Sequence, residues 1–298
     1  MHTHRATRPL RGSIPAIVTP MDVSGAIDFP AFFRLLDWHV EQGSDGVVVA
    51  GTTGEVSTLS IDEQCELISQ AKRHLAGRLP LIAGTGGNAT SEAIELAAAA
   101  RDIGVDAHLS VVPYYNKPTQ DGLYQHFCAI AQAVDLPMIL YNVPGRTVAD
   151  LANDTAIALA AVPGIIGIKD ATGDMERGFD LVCRAPEDFL VLSGDDGTAL
   201  ALTLLGGDGV ISVSANAAPR LMHDMIIAAI ENRTADARRL NAQMVRLHRD
   251  LFVEANPAPL KWIMHRMGLL QNHLRLPLVP LSAPNQDLIK KAMAQAGL

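Results

Sequence analysis

The feature that most constrains this chain is an eightfold alternation. Short β-branched runs occur at 14–18, 47–49, 81–83, 107–111, 138–141, 165–168, 190–192 and 210–213. Longer segments with helical spacing lie between them, among them 32–42, 62–75, 91–103, 122–133, 151–160 and 198–205. A strand followed by a helix, repeated, is the pattern of parallel βαβ units. Eight evenly spaced units without a composition break predict one closed (β/α)8 TIM barrel rather than two doubly wound sheets. After about residue 217 the pattern turns helical, at 221–231, 235–252, 259–267 and 287–296. The expected organisation is a flexible N-terminal tail (1–12), a catalytic barrel (13–233) and a C-terminal helical extension (234–298).

Of the 298 residues 48% are apolar and 19% charged, enough apolar surface for a large core. No apolar run reaches the roughly 18 residues of a membrane span. The net charge of −8 argues against nucleic acid or an anionic membrane as partner. The first twelve residues lack the apolar stretch of a secretion signal. Cys65, Cys128 and Cys183 are far apart and odd in number, as expected of buried free thiols in a reducing compartment. The ten histidines form no ligand pattern, so no metal is expected, and no glycine-rich nucleotide motif follows a strand. Asp195-Asp196 reads as a turn capping the next helix.

The unusual residues cluster at the C-terminal ends of the strands, where barrels of this kind place their chemistry. The second strand runs into Gly51-Thr52-Thr53-Gly54-Glu55 and the third into Gly84-Thr85-Gly86-Gly87-Asn88. The fourth ends in Pro113-Tyr114-Tyr115-Asn116-Lys117-Pro118, and the fifth in Tyr141-Asn142-Val143-Pro144-Gly145-Arg146-Thr147. Lys169-Asp170, Ser193-Gly194-Asp195-Asp196 and Ser214-Ala215-Asn216 close the last three.

Lys169 is the sharpest signal, one of six lysines and alone in ending a buried-type strand. Alternation along that strand sets it on one face with Gly167 and Ile165, the glycine leaving room for its stem. An amine withdrawn from water can attack a carbonyl and form an imine; the bland alternative is a strand-end lysine reaching solvent. Imine formation needs proton transfers, which Tyr141 on the preceding strand could supply, with Thr53 and Tyr115 extending it into a hydroxyl relay. Thr52, Thr53 and their glycines suggest an anion cradle of backbone amides, although an ordinary βα turn has the same look. Arg146 can grip a carboxylate bidentately, which suggests a second anionic group on the substrate.

On these residues the chain resembles the dihydrodipicolinate synthases of the N-acetylneuraminate lyase family, class I aldolase-like barrels, along essentially its whole length. The resemblance extends to Asn256-Pro257-Ala258-Pro259-Leu260-Lys261. It implies that Lys169 forms an imine with pyruvate, that no cofactor is needed, and that Tyr141, Thr53 and Tyr115 form the relay. In this family Tyr115 would reach a neighbouring subunit's site. It further implies that the amides of Thr52 and Thr53 hold the pyruvate carboxylate, and that Gly194 and Ile211 line the pocket through their backbones. Arg146 would bind L-aspartate 4-semialdehyde in a cytoplasmic homotetramer. An inhibitor site for lysine would involve Asn88, Glu92 and Tyr114. Ile61 and Gln64, where inhibited members often carry histidines, and Val56-Ser57 nearby predict weak or absent inhibition. Two other readings are a related lyase or dehydratase of sugar acids, which usually lacks the arginine, and a non-catalytic sensor barrel.

Overall fold

The computed structural model describes residues 10–298. Eight parallel strands form one sheet in the order β1-β8-β7-β6-β5-β4-β3-β2. They are β1 (Gly12–Pro15), β2 (Val47–Val49), β3 (Leu81–Gly84), β4 (Ala107–Val111), β5 (Met138–Asn142), β6 (Ile165–Asp170), β7 (Leu190–Ser193) and β8 (Gly209–Ser212). A bridge between Ala16 and Val48 brings β1 against β2 and closes the circle, with Ile17 N donating to Val48 O at 2.9 Å. The barrel read from the alternation is therefore present, and every expected strand lands on an observed one.

Most ends shift by one or two residues, and the largest differences are at the N-terminus and on β6. The first strand begins at Gly12, whose amide donates to Asp208 O and whose register partner is Gly209. Leu10 is buried with the barrel interior, so residues 10–12 do not belong to the flexible tail expected over 1–12. Its first nine positions lie outside the described residues. On β6 a register shift opposite Met138 and Ile139 breaks the simple alternation. Ile166 turns inward and Ile165 packs on the outer layer, so Ile165 does not share the face of Lys169.

The barrel interior is filled, with Ile14, Val48, Ile82, Leu109, Ile139 and Leu192 among its packed side chains. A larger apolar layer lies between strands and helices and includes Phe32, Phe127 and Leu181. The first helices are α1 (Phe29–Gln42), α2 (Ile61–Leu75), α3 (Thr90–Ile103) and α4 (Gln120–Ala133). A single turn, α5 (Pro144–Thr147), then precedes α6 (Asn153–Leu159), α7 (Met175–Arg184), α8 (Ala199–Leu204) and α9 (Pro219–Ile230). Their starts are set locally. Asp28 accepts from Ala31 N at 3.0 Å, and Ser60 and Glu63 form a reciprocal capping box on α2. Gly43 ends α1 at φ 80, a left-handed conformation that glycine adopts without a Cβ clash.

Three helices follow the barrel: α10 (Thr234–Asp250), α11 (Ala258–Arg266) and α12 (Ala283–Ala296). The first packs on α9 and α12, while α11 lies against the end of the eighth unit. None of the helices among the described residues is long and apolar enough to cross a membrane. The three thiols are free, but Cys183 is exposed and the other two half-buried, so they are not the core thiols the sequence suggested.

Candidate active site

Lys169 and Tyr141 are register partners on β6 and β5. In a parallel pair this places two side chains of the same facing next to each other. Lys169 is 6% exposed, and its Nζ lies 4.1 Å from the centroid of the Tyr141 ring. Both line a cavity of about 430 Å³ at the C-terminal mouth of the barrel, together with Thr52, Thr53, Thr85 and Leu109.

Space for the lysine stem comes from the loop after β7 rather than from its own strand. A Cβ on Gly167 would meet Leu190 Cβ at 2.6 Å, so that position is already filled by a neighbour. A Cβ on Gly194 would meet Lys169 Cε at 2.9 Å. Gly194 thus borders the lysine directly, and Ile211 is buried on β8 in the interior cluster.

The threonine turn Thr52–Gly54 is bracketed by two non-glycine residues with left-handed backbone, Ala50 and Glu55, each at φ 57. That conformation is costly for a residue with a Cβ and persists where surrounding contacts impose it. Here they do. Thr19 Oγ1 donates to Gly54 O at 2.7 Å, and Asn256 Nδ2 donates to Thr53 Oγ1 at 3.0 Å. Glu55 and Lys261 form an ion pair in which both side chains are fully buried. Burial pushes the Lys261 ammonium down, a tendency opposed by Glu55. The first N–H groups of such a helical turn have no partner within it and are free to meet an anion.

Behind the reactive pair, the strand ends are tied together on the outer side of the barrel. Asn142 Nδ2 donates to Asp150 Oδ1 at 2.8 Å, and its Oδ1 accepts from Leu151 N at 3.0 Å. Arg177 Nε donates to Asp170 Oδ2 at 2.9 Å, and its Nη2 donates to Leu151 O. This network holds the segment after β5 that carries Arg146. Arg146 itself is exposed and makes no ion pair with a described residue. It lines a second, larger hollow of about 1030 Å³ with Gln64, Glu92 and Tyr114, which shares Thr52, Val56, Gly86 and Val111 with the lysine cavity.

The structure thus brings Lys169, Tyr141, Thr52 and Thr53 together and sets Arg146 at the adjoining hollow. It does not bring Tyr115 to them. That residue is 87% exposed at φ 76 on the loop after β4 and is not among the residues lining its own chain's cavity. Asn88 accepts at its carbonyl from Asn116 Nδ2 and is not among the residues of the hollow. Asp195 accepts from Thr198 N at 2.9 Å, as a cap does, while Asp196 is buried and binds Ser212 Oγ and the amides of Val213 and Ser214. Sequence reading singled out neither Asn256 nor Lys261 as a site residue. Both lie in the 256–261 segment, which the sequence marked only as part of the family resemblance.

A buried lysine at a strand end, facing a tyrosine and a glycine-threonine turn, defines an enzyme of the Schiff-base barrel class. The chain belongs to the dihydrodipicolinate synthetase family, whose model matches residues 9–296. It is 62% identical over 287 residues to the 4-hydroxy-tetrahydrodipicolinate synthase of Nitrosomonas europaea, covering 96% of this chain and 98% of that one. It is 60% identical over 289 residues to the enzyme of that name from Azoarcus sp., covering 97% and 99%. Among solved structures it is similar to the chloride-inhibited dihydrodipicolinate synthase from Acinetobacter baumannii complexed with pyruvate. The TM-score there is 0.95 at 53% identity, covering 96% of this chain and 99% of that one.

Proposed function

We propose that this chain condenses pyruvate with L-aspartate 4-semialdehyde to give 4-hydroxy-tetrahydrodipicolinate, the committed step toward diaminopimelate and lysine. The observation that carries the reading is the pairing of Lys169 Nζ with the Tyr141 ring, 4.1 Å to its centroid, in the wall of the cavity that also holds Thr52 and Thr53.

Lys169 Nζ attacks the ketone carbon of pyruvate, whose carboxylate rests on the amides of Thr52 and Thr53. The carbinolamine loses water to give the imine. Tyr141 gives and recovers the protons this requires, with Thr53 next in the relay. Loss of a proton from the pyruvate methyl group gives an enamine, whose carbon attacks the aldehyde. Arg146 holds the carboxylate of that second substrate at the hollow beside the cavity. The amine of the semialdehyde then displaces Lys169 and closes the ring. The backbones of Gly194 and Ile211 border the bound pyruvate. The electron pair of the new carbon–carbon bond comes from the broken methyl C–H bond by way of the enamine, and the aldehyde oxygen takes up a proton, so the scheme assigns no cofactor.

Tyr115, exposed on its loop, fits a role in a neighbouring subunit's relay, and the reading includes a cytoplasmic homotetramer built on such pairs. The test is a coupled assay with both substrates and Lys169→Ala as control. Turnover lost in the variant supports the reading. Absence of turnover in the native chain, with pyruvate still trapped on Lys169 by borohydride, favours a sugar-acid lyase instead, and no trapping favours a sensor.

A further inference from the structure

The C-terminal extension touches the proposed relay through one side chain. Asn256, between α10 and α11, is buried, and its Nδ2 donates to Thr53 Oγ1 across 203 residues of sequence. The Oδ1 of Asn256 has no partner among the described residues, so the bond to Thr53 is the only one its side chain makes there.

A threonine hydroxyl has one proton to donate and two lone pairs that accept. An amide N–H occupies a lone pair and cannot receive the proton. The Thr53 proton therefore has to be directed elsewhere, and Thr53 borders the cavity that holds Tyr141 and Lys169. An oxygen acceptor in the place of Asn256 Nδ2 would draw the proton toward the extension.

The same extension fixes the turn on which Thr53 rides. Lys261 on α11 is paired with Glu55, two residues after Thr53, and its Nζ also donates to His273 O at 2.9 Å. Arg275 N donates to Glu55 Oε2 at 3.2 Å, and the Arg275 guanidinium donates to Thr58 O at 2.8 Å and to Glu63. These contacts set where the threonine oxygen sits, and Asn256 sets which way its proton faces.

We infer that Asn256 is a positioning residue for imine formation: by donating to Thr53 Oγ1 it aims the Thr53 proton into the cavity and gives the hydroxyl relay one direction. The inference rests on the reading of Thr53 as a relay member.

The experiment compares the full-length native chain with Thr53→Val, Asn256→Ala and Asn256→Asp. It reads kcat, KM for pyruvate, the rate of borohydride-trappable imine, thermal unfolding and the pH profile. Thr53→Val and Asn256→Ala should each lower kcat and the imine rate at least about tenfold, within the range of one proton-transfer group, with KM for pyruvate within about threefold. Asn256→Asp should lose about a hundredfold near neutral pH, because a carboxylate only accepts. Its rate relative to the native chain should recover as pH falls and the introduced carboxyl becomes able to donate. A purely structural role would not produce that recovery.

Asn256→Ala with kcat within about twofold of the native chain overturns the inference, as does Asn256→Asp with a flat, near-native ratio at every pH. If Asn256→Asp does not fold, Asn256→Ala decides alone. An impaired Thr53→Val beside an unimpaired Asn256→Ala defeats this inference and leaves the relay standing. An unimpaired Thr53→Val defeats the relay itself.

Discussion

A methyl group on residue 194 would lie 2.9 Å from Lys169 Cε and 2.6 Å from Ala171 Cβ. Gly194, on the loop after β7, is thus the space that the lysine stem occupies at the mouth of the barrel. Gly194→Ala should displace Lys169 or tilt β7 away from it. Overpacking of this kind costs roughly 1–3 kcal/mol of stability, and misplacing a nucleophile by about 1 Å costs about a hundredfold in rate. The expected result is a folded protein with a modestly lowered melting temperature that traps pyruvate about a hundred times more slowly. Native-rate trapping would show that the lysine stem is free to move.

The Glu55–Lys261 pair makes a prediction about stability. Removing one partner of a buried ion pair strands the other charge and costs roughly 3–5 kcal/mol. Lys261→Met should therefore lower unfolding free energy by about that much, measured by urea titration. Glu55→Gln together with Lys261→Met should cost clearly less than the single Lys261→Met change, because no uncompensated charge remains. Equal losses in the two proteins would mean that the pair acts through packing alone.

How far the sequence carries can be judged at these residues. The strands were legible because each is a short β-branched run bounded by a helix signal, and Lys169 and Tyr141 because each ends such a run. What local pattern could not show depends on register and distance. The shift on β6 moved Ile165 to the outer layer. The role assigned to Gly167 belongs to Gly194, which lies on another strand's loop. The first strand starts two residues early because Gly12 and Ser13, though poor strand formers, pair with Gly209 and Val210 of β8. Asn256 and Lys261 reach the threonine turn from about 200 residues away, and no periodicity encodes such a contact. Tyr115 was assigned to a relay by its kind, and its position outside its own cavity is a matter of loop geometry.

Acid should destabilise the fold through histidines before it acts through carboxylates. Burial pushes His39 down to about 3 and His108 and His126 down to about 4, from an ordinary value of 6.5. Unfolding lets each take up a proton near 6.5 that the native state refuses. Stability therefore falls as pH drops below about 6.5 and levels off below the folded values, by about 1 kcal/mol per histidine at about pH 5.5. His223, raised by its hydrogen bond to Asp45, works in the opposite sense; its contribution is present below about 6.5 and is lost as pH rises through its raised folded value. Glu63, held down to about 2 chiefly by Arg275, loses its contribution only below its ordinary 4.5. The check is urea unfolding at pH 7 and 5.5, repeated for His108→Asn, which should show a shallower loss. An unchanged slope would assign the effect elsewhere.

Lysine should inhibit weakly. Glu92 and Tyr114 border the hollow, but the Gln64 Nε2 is committed, donating to Leu59 O at 3.1 Å and reaching toward Val56 O, which leaves only its unpartnered Oε1 to a ligand. Ile61, half exposed at the start of α2, offers no hydrogen bond to an amino acid. With one acceptor in place of two imidazoles, binding is expected at roughly millimolar strength or weaker. A dose-response curve in the coupled assay measures it, and half-inhibition at micromolar lysine would show that other groups of the hollow suffice.

Arg146 tests the second substrate separately from the first. Its guanidinium has no carboxylate partner among the described residues and borders the larger hollow, which joins the lysine cavity at Thr52, Val56, Gly86 and Val111. A bidentate grip on a substrate carboxylate is worth roughly 1.5–3 kcal/mol, or about a 10- to 100-fold change. Arg146→Ala should raise KM for L-aspartate 4-semialdehyde by that factor, while borohydride still traps pyruvate on Lys169 at the native rate. Arg146→Lys should recover only part of the loss, because an ammonium keeps the charge but not the fork. Loss of trapping along with turnover would place Arg146 in the structure of the cavity itself. A native KM would move recognition of the second substrate to another residue of the hollow.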